Sequence, residues 1–230
     1  MTLSLFLFWA VIVSLLTSAG AFYANRYQRS DALVVLYVTL ILFANIAASK
    51  IVQFDLGFTK IFAPAAVLIF AVTFLLTDIV NEKFGRAETQ RMIFIAFCSQ
   101  IVLVVFSYLM LKTTPAPFFL NQAAFEAVFG SVPRIVAASL IAFLISENAD
   151  AYIFAWFNKI TQGKHLWMRN AFSSLPSMIL DSVVFITIAF YGGAIPLMGL
   201  IIGQTTIKWF IGVIDIPFMY LAKNILKESN

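Results

Sequence analysis

One cysteine and one histidine are all that 230 residues offer of two side chains often found on metals. Cys98 sits in an apolar segment, reads as a small core residue, and provides neither a disulfide framework nor a cysteine cluster. His165 stands in a charged loop as a solvated side chain, and no His-Glu-x-x-His pair exists for zinc. A Walker A loop is missing as well. "QGKH" at 162–165 lacks the upstream glycine and the hydroxyl after the lysine, so the chain cannot hydrolyse ATP by that route. There is no Gly-x-Ser-x-Gly elbow either. Without a nucleophile, base or metal set in view, the sequence reads as a non-enzyme that needs no cofactor. Charge is also scarce: Asp, Glu, Lys and Arg make up 11% of the chain, about half the share of an ordinary soluble domain. The net charge of +4 forms no basic block of the kind that tracks nucleic acid, so none is expected as a partner.

Apolar residues fill the space instead. They make up 62% of the chain, with 25 Phe, and the mean hydropathy is +0.95. The expected fold class is all-α: a polytopic integral membrane helix bundle, one transmembrane domain over 1–230 with no room for a soluble one. A helix that crosses the hydrocarbon needs about 20 mostly apolar residues. Seven segments qualify: Leu3–Tyr23, Ala32–Phe54, Lys60–Asn81, Gln90–Leu111, Val132–Phe157, Ala171–Tyr191 and Leu197–Ala222. The first has a cleavage-like Ala19-Gly20-Ala21, but its start carries no positive charge and Arg26 and Arg29 follow it. It is therefore read as a retained helix.

Positive charge orients the bundle. Arg26, Arg29, Lys83, Arg86, Arg91, Lys159, Lys164, Arg169, Lys223 and Lys227 all fall on one side of the seven segments. The other side has Lys60, Lys112 and the edge pair Lys50 and Arg134. The N-terminus is thus expected outside and the C-terminus in the cytoplasm. The longest outer loop holds Pro115 and Pro117. After them comes a short interfacial helix that Asn121 would cap and Gly130 would close, with Phe125, Val128 and Phe129 along one side.

Five ionisable residues fall well inside the expected spans: Glu147, Asp150, Asp181, Lys208 and Asp215. At roughly 3 kcal/mol each for a central position, leaving them unpaired would cost about 15 kcal/mol. They must face one another or a wet cavity. Their spacing agrees. Gln204, Lys208, Ile211 and Asp215 form one stripe of the last helix, and Phe143, Glu147, Asp150 and Phe154 repeat its offsets on the fifth. Ser174, Ser177 and Asp181 share a face of the sixth, and Asn45 and Ser49 lie one turn apart on the second, beside Lys50. A central polar cavity accounts for all four stripes. Lys208 with Asp215 serves equally well as a plain ion pair. Asp78, Asn81 and Glu82, in "LLTDIVNEKFG" (75–85), lie near the cytoplasmic end, where capping and loop anchoring are the simplest roles. "FLLTDIVN" (74–81) and "FLISENAD" (143–150) form a faint parallel repeat.

Five stretches occur in order: "NIAASKIV" (45–52), "TFLLTDIVNEKFG" (73–85), "PRIVAASLIAFLISENAD" (133–150), "MRNAFSSLPSMILDSVVFITIAFYG" (168–192) and "IKWFIGVIDIPFMY" (207–220). Together they closely resemble the queuosine-precursor transporters, also called the VUT family. The likeness runs over a core of 32–226 and leaves out the helix at 3–23, an addition to the six helices usual for the family. The resemblance implies a multi-pass protein of the cytoplasmic (inner) membrane. It further implies secondary-carrier import of 7-cyano- or 7-aminomethyl-7-deazaguanine, precursors of the tRNA base queuosine.

Such a base presents N1–H and a 2-amino group as adjacent donors, which one carboxylate accepts in a fork; its O6 needs a donor and its ring a flat wall. On this resemblance Asp181 or Glu147 would take the two-donor edge, and Lys208, Asn45 or Gln204 the carbonyl. Asp150 or Asp215 would hold a cationic aminomethyl arm, and Phe143, Phe154 or Phe185 would stack on the ring. Asp78, Asn81 and Glu82 would pair with Arg86, Arg91 or Arg169 as an inner gate, with Gly85 as helix cap or hinge. Arg134 belongs with the gate and structural group. The leading alternative is a substrate-binding subunit of an ATPase-driven (ECF-type) importer. A homo-oligomer is open through small residues such as Ala44, Ala47 and Ala48, and a membrane enzyme acting on lipid is a third class.

Overall fold

Backbone polar groups that water cannot reach must find partners within the chain, and this chain supplies them with helices. The computed structural model describes residues 3–55, 59–160, 166–193 and 195–227, without the side chains of 3, 6, 7, 71, 151, 154, 155, 157–159, 166–174 and 213–227. Among the described residues eight helices appear: α1 (Leu3–Tyr27), α2 (Asp31–Ala47), α3 (Val67–Phe84), α4 (Arg86–Lys112), α5 (Gln122–Phe129), α6 (Val132–Ile160), α7 (Leu166–Phe190) and α8 (Leu197–Lys227). Among the described residues, Phe8–Tyr27, Arg86–Lys112 and the α5–α6 stretch Gln122–Asp150 are long and apolar enough to cross a membrane. Asp31–Ala47, Leu175–Phe190 and Leu197–Gly212 are shorter apolar helices. The protein is a helical membrane protein.

One expectation needs correcting. The second helix stops at Ala47, and the third begins only at Val67. Between them, where the sequence was read as the ends of two spans, lie strands β1 (Ile51–Asp55) and β2 (Lys60–Pro64). They pair antiparallel, from Ile51 opposite Pro64 to Asp55 opposite Lys60 at the tip. Short apolar runs such as "IVQFD" and "KIFAP" do not distinguish strand from helix by hydropathy. What decides here is the alternation of exposed Gln53 and Asp55 around buried Phe54, together with the place the hairpin finds on α8. There, Gly203 lies against the backbone of Phe62 so closely that a methyl group would overlap the Phe62 carbonyl.

Three apolar clusters hold the bundle. Val13, Leu33, Leu76 and Met92 join α1 to α2, α3 and α4. Ala44, Ala48, Ala66, Ala138, Ala142 and Ala189 bring α2, α3, α6 and α7 close together around Ile135, Phe185, Ile186 and Leu200, since small side chains permit close approach. Phe54 and Ala63 of the hairpin pack on Val67, Ile207 and Ile211. The additional helix α1 is part of this packing: its Trp9 Nε1 donates to Leu68 O at 2.9 Å.

Polar contacts fix the two ends. At one end Lys83 Nζ donates to Asn25 Oδ1 at 3.3 Å, Ser30 donates to Glu88, and Arg91 pairs with Glu88 at 3.0 Å. Gly85, at φ 82° and ψ 173°, caps α3 by donating to Asn81 O and starts α4 at once. The expected cap role of Gly85 is observed. At the other end Arg134 donates to Ile188 O at 2.7 Å and to Tyr191 O at 2.5 Å, satisfying carbonyls at the C-terminus of α7. Helix α5 ends before Gly130 as expected, but Asn121 makes no side-chain cap; Phe125 and Phe129 stack with centroids 4.6 Å apart.

Candidate functional site

The polar stripes of α6, α7 and α8 contribute to one cavity of about 690 Å³ among α2, α3, α4, α6, α7 and α8, whereas the stripe of α2 does not line it. Glu147, Asp181, Gln204 and Lys208 line it, with Phe143 and Phe185 from the expected aromatic set. Positions four apart put Ser139, Phe143 and Glu147 on one face of α6 and Thr73, Thr77 and Asn81 on one face of α3, and all six line the cavity. Helix spacing alone therefore aims these groups inward.

Lys208 and Asp181 form an ion pair across α8 and α7, with side chains 9% and 24% exposed. The ammonium also lies 5.9 Å from the centroid of the Phe70 ring. Among the described residues Asp181 is the carboxylate that meets Lys208, and the side chain of Asp215 lies outside them. Seven residues along one helix span about 10 Å, whereas α7 packs directly on α8 and brings a carboxylate to the lysine. Among the described residues Glu147 and Gln204 carry no hydrogen bond or ion pair, so their polar atoms remain available to the cavity.

Other expected residues lie elsewhere. Asn45 is buried behind the wall, bonded to Ile41 O at 3.0 Å and to Gln100 Oε1 at 2.9 Å, and Gln100 reaches the cavity in its place. Asp150 does not line the cavity; it accepts from Ser177 Oγ at 3.3 Å, because three residues beyond Glu147 the helix has turned it toward α7. Asp78 and Asn81 line the same cavity as Glu147, together with Arg86, Thr89 and Gln90, whereas Glu82 is exposed and lies outside it. Arg134 caps α7 at the far end. The side chains of Asp215, Arg169, Phe154 and Ser174, like His165, fall outside the described residues.

The structure adds groups the sequence reading passed over: Tyr37, Phe70, Thr73, Thr77 and above all Gln100. A lone amide in the middle of the apolar segment 90–111 was a usable signal, because such a group must find a partner. Three carboxylates (Asp78, Glu147, Asp181) and two bases (Arg86, Lys208) face the space. With Lys208 committed to Asp181, the cavity presents a free acceptor edge, amides and flat apolar walls. That combination suits a planar, polar, uncharged or weakly cationic molecule.

The chain is 29% identical over 190 residues to a "Probable queuosine precursor transporter" of Bacillus subtilis, covering 81% of this chain and 83% of that one. It is 27% identical over 165 residues to a protein of the same description from Haemophilus influenzae, covering 69% and 68%. No solved structure matches. The family model described as "Putative vitamin uptake transporter" matches residues 64–222, which takes in α3 to α7, most of α8 and every residue named here on the cavity wall except Tyr37. The resemblance carried by the five sequence stretches is borne out, and the chain belongs to this transporter family.

Proposed function

We propose that the protein imports a 7-deazaguanine precursor of queuosine across the cytoplasmic membrane as a secondary carrier. The observation that carries this reading is the convergence, on the wall of one cavity, of the Glu147 carboxylate, without a hydrogen bond among the described residues, with the amides of Gln100 and Gln204 and the rings of Phe143 and Phe185. A carboxylate accepts the N1–H and 2-amino donors of a guanine-like edge in a fork. Charge-assisted bonds of this kind contribute about 1.5–3 kcal/mol each. Glu147 fits that task better than Asp181, which Lys208 already engages. The names of the relatives support the same substrate class. Asp78, on the same wall toward the α3–α4 turn, is placed to meet a cationic aminomethyl arm, a task the sequence reading gave to Asp150 or Asp215.

In this reading the chain crosses the membrane seven times as a single domain, with its N-terminus outside. The basic α3–α4 turn then lies in the cytoplasm, and the cavity reaches it through Asn81, Arg86, Thr89 and Gln90. In the same reading the alanine-rich cluster and the hairpin, packed at the opposite end, form the closed side. The arrangement corresponds to an inward-facing carrier. Outward access would require the alanine-packed ends of α2, α6 and α7 to part while Asp78, Asn81 and Arg86 draw together.

The test is calorimetric binding of 7-cyano-7-deazaguanine, 7-aminomethyl-7-deazaguanine, queuine and guanine to purified protein. Micromolar binding of at least one deazaguanine, with guanine much weaker, is expected. Folded protein that binds none of them overturns the assignment.

A further inference from the structure

Gln100 and Asn45 form a buried amide pair whose polarity follows from chemistry. Asn45 Nδ2 lies 3.0 Å from Ile41 O. A backbone carbonyl only accepts, so the nitrogen of Asn45 must be on that side. Its second hydrogen points to Gln100, whose facing atom, 2.9 Å away, is therefore Oε1. The oxygen of Gln100 is thus committed and its NH2 group turned the other way. The nearest acceptor for that group is Ala96 O at 3.5 Å, the outer limit of a hydrogen bond. Asn45 and Gln100 are 3% and 6% exposed; Gln100 lines the cavity and Asn45 does not.

We propose that Gln100 reads a carbonyl oxygen of the transported base, and that Asn45, behind the wall, is the positioning residue that keeps its amide donating. This rests on the reading of the cavity as a base site. A 6-oxo base brings an acceptor to the Gln100 NH2 group, and a 6-amino base brings a second donor that leaves both unmatched. The other polar groups do not set this preference so firmly. Lys208 is held between Asp181 and Phe70, and Gln204, without a hydrogen bond among the described residues, can turn either end of its amide to a ligand. Of Gln100 and Gln204, Gln100 is the one whose donor end is fixed.

The experiment compares 7-cyano-7-deazaguanine with its 6-thio analogue, which keeps N1–H and the 2-amino group but accepts hydrogen bonds weakly. The purified full-length protein should prefer the oxo base by about tenfold, the worth of one hydrogen bond with its otherwise unmet carbonyl. Gln100→Met keeps the bulk and removes the donor. It should weaken the oxo base about tenfold and leave the thio base nearly unchanged, so that the preference disappears. Retained binding of the thio base shows that the variant is folded. Should Gln100→Met not fold, Gln100→Glu, which keeps an oxygen for Asn45 and turns a second one to the cavity, should lose the oxo base selectively.

Asn45→Asp removes the donor that holds Oε1, so Gln100 turns its nitrogen inward to the new carboxylate and its oxygen toward the ligand. The tenfold preference for the oxo over the thio base should then be lost; a merely structural Asn45 would weaken both alike and keep the ratio. An unchanged oxo-to-thio ratio in Gln100→Met overturns the inference while leaving the base site standing. Wild-type protein that binds neither base overturns both.

Discussion

Replacing Lys208 by Met leaves Asp181 a carboxylate without its cation in a site that is mostly enclosed. The magnitude follows from where the pair sits. Breaking a fully buried pair from one side costs about 3–5 kcal/mol, and an exposed pair contributes about 0.2–1 kcal/mol. With side chains 9% and 24% exposed, Lys208 and Asp181 lie between these limits, since cavity water relieves the carboxylate more than the ammonium. A loss of about 2–3 kcal/mol is expected, which corresponds to a fall of roughly 5–10 °C in unfolding temperature for a chain of this size. Asp181→Asn should destabilise comparably. The double variant should recover most of the loss, because two neutral side chains leave no charge behind.

The assay is thermal unfolding of the four proteins in one detergent, followed by intrinsic fluorescence, with ligand binding measured on each. A coupling energy below about 0.5 kcal/mol would falsify the reasoning, for it would mean that the pair is solvated like a surface contact. Binding separates two roles for the pair. A double variant that regains stability but not affinity assigns Asp181 and Lys208 to the ligand. One that regains both assigns them to the scaffold and leaves recognition to Glu147 and the amides.

Three further outcomes test the frame around the site. Gly203→Ala pushes a methyl group into the Phe62 carbonyl and should cost about 1–3 kcal/mol, the usual penalty of overpacking; an unchanged unfolding temperature would show that the hairpin does not depend on that contact. Gly85→Ala meets no atom within 4 Å, yet the φ of 82° and ψ of 173° suit glycine alone. It should lose about 1–3 kcal/mol through backbone strain, and Gly85→Asn should lose as much. Arg134→Gln loses charged bonds to Ile188 O and Tyr191 O and should lower stability by about 1–3 kcal/mol, while calorimetry finds ligand affinity unchanged.

The acids of the site were legible because charge in an apolar segment is rare and expensive. Glu147, Asp181 and Lys208 stand out from the sequence for that reason alone, and all three reach the cavity. Their pairing was not legible. Lys208 and Asp215 share a stripe in one dimension, but the carboxylate that meets the lysine comes from α7, and no helical period reports which neighbour a stripe will face. Asn45 shows the same limit on a finer scale. The sequence marks it as a polar group needing a partner, yet whether it faces substrate or supports Gln100 depends on how α2 is rotated against α4.

The hairpin was hidden for a different reason, and that reason bears on how it is tied to a helix of the cavity wall. A two-stranded ladder satisfies only the backbone groups that face its partner strand, so its outer edges must meet protein or water. Here β2 lies on α8 at Gly203, the residue that lets two backbones touch, and the apolar faces of Phe54 and Ala63 are buried on Ile207 and Ile211, one turn to either side of Lys208 or nearer. The hairpin is therefore packed on the helix that carries Gln204 and Lys208. A single glycine in an apolar helix gives no hydropathy signal, and "IVQFD" gives an ambiguous one. The link between hairpin and cavity wall becomes visible only when the two stretches, about 140 residues apart in the sequence, are seen in contact.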